Sequence, residues 1–85
     1  MQNTAKFDPL QNLYQSAPRS FLKVLSILGD WGVRRSFGQM GIHPGDHVRI
    51  LSKAPFGGPL VIEGRGTRVA VSRQLAEKVK VEVLS

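Results

Sequence analysis

Eighty-five residues, with 12 lysines and arginines, six acids and no cysteine, carry a formal charge of +6 and a pI near 10.6. That length fits one domain, residues 1–85, and leaves no room for two. The lack of cysteine excludes a disulfide framework and the common thiolate metal sites.

Residues 1–9 include Asn3, Lys6 and Asp8, have no apolar run, and are expected to be frayed rather than to form a secretory leader. Leu10, Leu13 and Tyr14 stand at i, i+3 and i+4, which predicts a short helix or turn ended by Pro18. Residues 21–27 are apolar and β-forming and read as a strand, which Gly29 breaks. The stretch 21–28, interrupted by Lys23 and Ser26, is too short to cross a bilayer. Asp30 suits the N-cap of a helix over 31–40, with Val33, Phe37 and Met40 on one face and Arg34 and Arg35 elsewhere. Gly41 stands where a helix C-terminal glycine belongs.

Beyond it the pattern is β. His43-Pro-Gly-Asp46 has the residues of a type II turn. Residues 47–51 alternate in their first four positions, with Val48 and Ile50 inward. Ala54-Pro-Phe-Gly-Gly-Pro59 is a loop, Leu60-Val-Ile62 a strand, and Glu63-Gly-Arg-Gly66 a turn. Residues 67–71 make the next strand, with Val69 and Val71 sharing a face. Ser72 caps one helical turn holding Leu75 and Ala76. Val79, Val81 and Val83 alternate with Lys78, Lys80 and Glu82, the clearest period-two run in the chain. About five short strands and one or two short helices predict a mainly β, partly open small barrel. Its final strand, residues 79–83, offers an edge on which a second copy could pair to make a homodimer.

The cations are scattered and form no tail. They read either as a solvated surface or as a footprint for an anionic partner. No catalytic constellation emerges from two histidines and six carboxylates, and the interior of so small a barrel is filled by side chains. A binding module is expected, not an enzyme. His43, Asp46 and His47 are candidate metal ligands, but Pro44-Gly45 interrupts the helical alignment that their spacing would otherwise give. They read as solvent-facing loop residues or as an opportunistic divalent-metal site for an ion such as Zn²⁺; no cofactor is required.

In the 54–59 loop, Gly57 and Gly58 allow unusual backbone angles and the prolines stiffen the flanks. Phe56 then either projects as a binding anchor or folds back to cap the barrel. Trp31 either anchors a partner or packs in the core. Arg34 and Arg35 suit an acidic surface.

The order of these pieces resembles the FeoA family, ferrous iron transport protein A. The matching residues are Arg35-Ser-Phe-Gly-Gln-Met-Gly-Ile-His-Pro-Gly45 followed by Asp-His-Val-Arg-Ile, then Ala54-Pro-Phe-Gly-Gly-Pro59 and Arg68-Val-Ala-Val-Ser-Arg73. Leu75-Ala76 and Val79-Lys-Val81 complete the match, which runs from Leu10 to Val83. One departure is Ser36-Phe37 where the family often has Arg-Leu; Phe37 fills the apolar slot and the basic position moves back to Arg35. The resemblance implies an SH3-like barrel in the cytoplasm and an accessory role in ferrous iron transport. It also implies a partner, the GTP-binding cytoplasmic part of the FeoB membrane transporter, so that contact with the membrane is only indirect. Arg34 and Arg35 would meet the acidic surface of that GTP-binding part, or reach its phosphates as an arginine finger.

A second class of function is RNA binding. Pro44-Gly-Asp-His-Val-Arg-Ile50 also resembles the start of a KOW-type barrel, and phosphate contact suits the charge. Against nucleic acid, the following loop has no lysine and the aromatic residues make no stacking platform.

Overall fold

The first strand, β1 (Phe21–Ile27), shows how the sheet sorts its side chains. Leu22, Val24 and Ile27 are buried, although Val24 and Ile27 are three residues apart. A register shift between Val24 and Ser26 in the pairing with the last strand absorbs the extra residue. The computed structural model describes residues 11–85, so the expectations for residues 1–9 and for Leu10 lie outside it.

After β1 come α1 (Trp31–Met40), β2 (His47–Lys53), β3 (Leu60–Gly64), β4 (Thr67–Val71), α2 (Arg73–Ala76) and β5 (Val79–Val83). The strands form one antiparallel sheet in the order β4-β3-β2-β1-β5. The inward residues expected on β2 and β5, namely Val48, Ile50, Val79 and Val81, are buried with Leu60, Ile62 and Val71. Val83, at the end of β5, is 48% exposed, so the alternation there does not reach the core. Phe37 is fully buried beneath α1, with Val33 and Met40 packed against the same cluster.

Local signals set most boundaries. The Asp30 carboxylate accepts from the Val33 amide at 3.0 Å, and the Ser72 hydroxyl accepts from the Leu75 amide at 3.3 Å. Gly41 closes α1 at φ +82°. The β3–β4 turn is tighter than expected: β3 runs on through Glu63 and Gly64, and only Arg65 and Gly66 turn the chain. Both have positive φ, +55° and +78°, the geometry of a two-residue type I′ hairpin that matches the twist of the strands.

Residues 11–16 form turns rather than a helix, with Gln15 and Ser16 amides donating to the Asn12 and Leu13 carbonyls. Leu13 is fully buried. The segment lies along the outer edge of β5: the Leu13 amide donates to the Val79 carbonyl at 2.8 Å and the Val81 amide to the Gln11 carbonyl at 3.1 Å. That edge is therefore not open, from Val79 to Val81, for pairing with a second copy. The ladder from Val79 to Val81 is already occupied by the chain's own backbone.

Candidate interaction site at the loop between the second and third strands

The loop at residues 54–59 is braced from within. The Ala54 amide donates to the Pro59 carbonyl at 2.9 Å, and the Gly58 amide to the Pro55 carbonyl at 3.1 Å. Between them Phe56 and Gly57 take the left-handed conformation, at φ +60° and +73°. A phenylalanine there costs about 1–2 kcal/mol and persists only where the surroundings impose it. Glycine at 58 is a steric requirement. A Cβ would stand 2.8 Å from the Ala54 methyl and 3.2 Å from the Pro55 carbonyl.

The base of the loop is held from a distance. The Tyr14 hydroxyl donates to the Gly58 carbonyl at 3.1 Å. The Tyr14 ring is flanked by two cations, Lys53 Nζ at 4.7 Å and the Arg73 guanidinium at 5.4 Å from its centroid. Lys53 also donates to the Tyr14 carbonyl at 2.6 Å, and Arg73 Nε donates to Glu77 Oε2 at 3.1 Å. A shallow groove separates Gly57, Gly58 and Pro59 from Ser72, Arg73 and Gln74.

On this frame Phe56 is fully exposed, at 103% of its reference area. The reading in which it folds back to cap the barrel fails, because the left-handed turn carries its side chain away from the sheet. What results is an apolar knob on a hydrogen-bonded tip beside an arginine, an arrangement suited to filling a pocket on another molecule.

The remaining candidates do not join it. Trp31 opens α1 and is 72% exposed, so the core-packing reading fails for it as well. Arg34 and Arg35 are exposed on the same helix. The register explains the separation. Lys23 pairs with His47 and Phe21 with Arg49, so β2 runs back past the start of β1, and its loop lies beyond that end. Trp31 follows the opposite end of β1.

His43, Asp46 and His47 are not assembled as a ligand set either. Asp46 Oδ2 accepts from the His43 amide at 2.9 Å and lies 3.7 Å from His43 Nδ1, while Oδ1 lies 4.0 Å from Arg65. The carboxylate thus braces its own turn. His47 starts β2 on its exposed side, opposite Lys23. Among the described residues no three His, Cys, Asp or Glu side chains are placed to hold one ion.

Tyr14, Lys53 and Arg73 were not identified from the sequence as parts of a site. Tyr14 meets its partners across 39 and 44 residues of chain, and no local pattern encodes such contacts. Among the described residues no helix is long and apolar enough to cross a membrane.

Comparison with known proteins places this geometry. No curated protein matches the sequence. The crystal structure of an iron uptake regulatory protein (FeoA) superposes with a TM-score of 0.81 at 32% identity, covering 87% of this chain and 97% of that one. The NMR structure of a FeoA-like protein from Clostridium acetobutylicum superposes with a TM-score of 0.80 at 34% identity, covering 87% and 86%. A manganese-dependent transcriptional repressor shares the fold at a TM-score of 0.82 and 22% identity, with 87% of this chain matching 36% of the repressor. The family model described as the FeoA domain matches residues 12–83, and with these structures it establishes that the chain belongs to the FeoA family, whose SH3-like fold it has.

Proposed function

We propose that the chain is an accessory binding protein of ferrous iron transport. It docks through the Phe56 loop on the GTP-binding cytoplasmic part of a FeoB-type transporter and so modulates Fe²⁺ uptake. Membership of the FeoA family implies the role in ferrous iron transport. The observation that supports a docking role is Phe56, fully exposed on a backbone that the loop and Tyr14 hold in place. Burying such a ring in a partner is worth about 1.5–3 kcal/mol, and a pre-ordered loop loses little entropy in doing so. Arg73 beside it suits an acidic rim around that pocket. In this reading Fe²⁺ is the transporter's cargo, and the accessory chain needs no ion of its own.

The test is a calorimetric titration of the purified chain with the transporter's soluble GTP-binding domain, in each nucleotide state. Saturable binding is expected. Phe56→Ala should leave stability within about 0.5 kcal/mol, because the ring touches no core residue, while weakening the complex by about tenfold or more. Unchanged affinity in that variant would remove the loop from the interface. Absence of binding in every nucleotide state, together with binding to RNA, would replace this reading by the KOW-type alternative.

A further inference from the structure

The end of the molecule opposite the Phe56 loop carries a second exposed patch of different chemistry. Trp31 is 72% exposed in the first turn of α1, and Leu28, in the turn leading to it, is 45% exposed. The Leu28 amide donates to the Lys78 carbonyl at 2.7 Å, which sets Lys78 beside the same turn. The Arg35 guanidinium lies over the Trp31 ring at 5.1 Å, and Arg34 is exposed next to it in the chain.

The positive charge here is uncompensated. Arg65, Arg68 and Arg73 each have a carboxylate within 4.0 Å. Among the described residues, no ion pair engages Arg34, Arg35 or Lys78. α1 contains no acid, and the Asp30 carboxylate before it is committed to the Val33 amide. Of the cations without a carboxylate partner among the described residues, these three share one end of the molecule with an exposed indole and a leucine.

We propose that this face binds the surface of an anionic lipid bilayer, with Arg34, Arg35 and Lys78 on headgroup phosphates and Trp31 and Leu28 in the interfacial layer. An indole settles at headgroup depth because its ring is apolar and its N–H is polar. Long cationic side chains lay their stems along apolar surface and keep their charge at phosphate level. Arg35 covers the projecting ring and the other two cations lie on neighbouring turns, without the hydrogen-bonded bracing found at Phe56. That suits a fluid surface, which offers phosphates at many angles, better than a shaped protein cleft. The affinity expected from one indole, one leucine and three cations is modest. The proposal is independent of the docking role given to Phe56, but the two ends can be engaged together, and tethering at one raises the effective concentration at the other.

Trp31 is the sole tryptophan, so its own fluorescence reads this face without a label. The probe is vesicles of phosphatidylcholine with one-third phosphatidylglycerol at millimolar lipid and about 0.15 M salt, where screening is physiological. A blue shift of Trp31 emission and co-sedimentation are expected, neither appearing on pure phosphatidylcholine and both fading as salt rises. R34Q/R35Q should fold normally and lower the partition coefficient by about thirtyfold. Phe56→Ala should bind the vesicles like the parent chain, even if the transporter reading fails. Absence of a shift, an equal shift on neutral vesicles, or a shift unchanged in R34Q/R35Q would overturn the proposal. So would a Trp31 shift produced by the GTP-binding domain and by no vesicle, which would assign the face to a protein.

Discussion

Phe56 and Trp31 are both exposed aromatic residues, and they stand at opposite ends of the β1–β2 pair on supports of different kinds. Phe56 sits on a left-handed turn with two internal hydrogen bonds and a third from Tyr14, and its neighbouring cation, Arg73, is already bonded to Glu77. Trp31 sits on an ordinary helical turn, and its neighbouring cations have no carboxylate partner among the described residues. One end is shaped in advance, with its arginine paired to Glu77; the other is plainly built, and its arginines have no carboxylate partner among the described residues. Pre-organisation lowers the entropic cost of meeting a single complementary shape, whereas loose positive charge favours any extended anionic surface. The two residues would be indistinguishable by exposure alone.

Three substitutions can break or sharpen that contrast. The largest effect is expected from Phe37→Ala. The ring is fully buried and fixes α1, hence Trp31, to the barrel. Loss of about 3–5 kcal/mol in urea unfolding is expected. A loss below about 1 kcal/mol would mean that α1 is not packed as described, and the helical support of Trp31 would fall with it.

Asp30→Ala acts at the Trp31 end alone. It removes the acceptor for the Val33 amide and should cost about 0.5–2 kcal/mol. Hydrogen exchange should speed up in the first turn of α1 and stay unchanged at Gly58. Equal acceleration at both would show that the two ends are not independent.

The smallest effect is expected from Tyr14→Phe. It keeps the ring between Lys53 and Arg73 and deletes only the hydrogen bond to Gly58, for about 0.5–1.5 kcal/mol. Exchange should now rise in the 54–59 loop and not in α1. If the loop stays as protected as before, Tyr14 is not what holds Phe56 in place.

Much of this architecture was legible from the residues, and the reason is local. Asp30, Gly41 and Ser72 act on amides three or four positions away, so their meaning is written beside them. The exposure of Trp31 was available too. Helical periodicity sets it nearly opposite Val33 and Met40, the residues already assigned inward. Phe56 was not decidable, because both readings fit the same Pro and Gly flanks and only the observed φ chooses between them. The Tyr14 brace and the cover over β5 were illegible for another reason. Each joins segments far apart in the chain, through contacts that depend on the finished sheet.

That cover over β5 also bears on how the molecule comes into being. β1 pairs with β5, and residues 11–13 pair with residues 79–81, so the earliest described segments find their neighbours in the latest. On the ribosome, β2, β3 and β4 can pair in order of synthesis, while one flank of β1 and the whole 11–13 segment wait for β5 to emerge. The decisive step of assembly therefore waits for β5 and is governed by distant contacts, which places its rate among the slower small domains. Until then Leu13, Leu22 and Val24 lack the neighbours that bury them, and the nascent chain is at its most vulnerable to association and proteolysis.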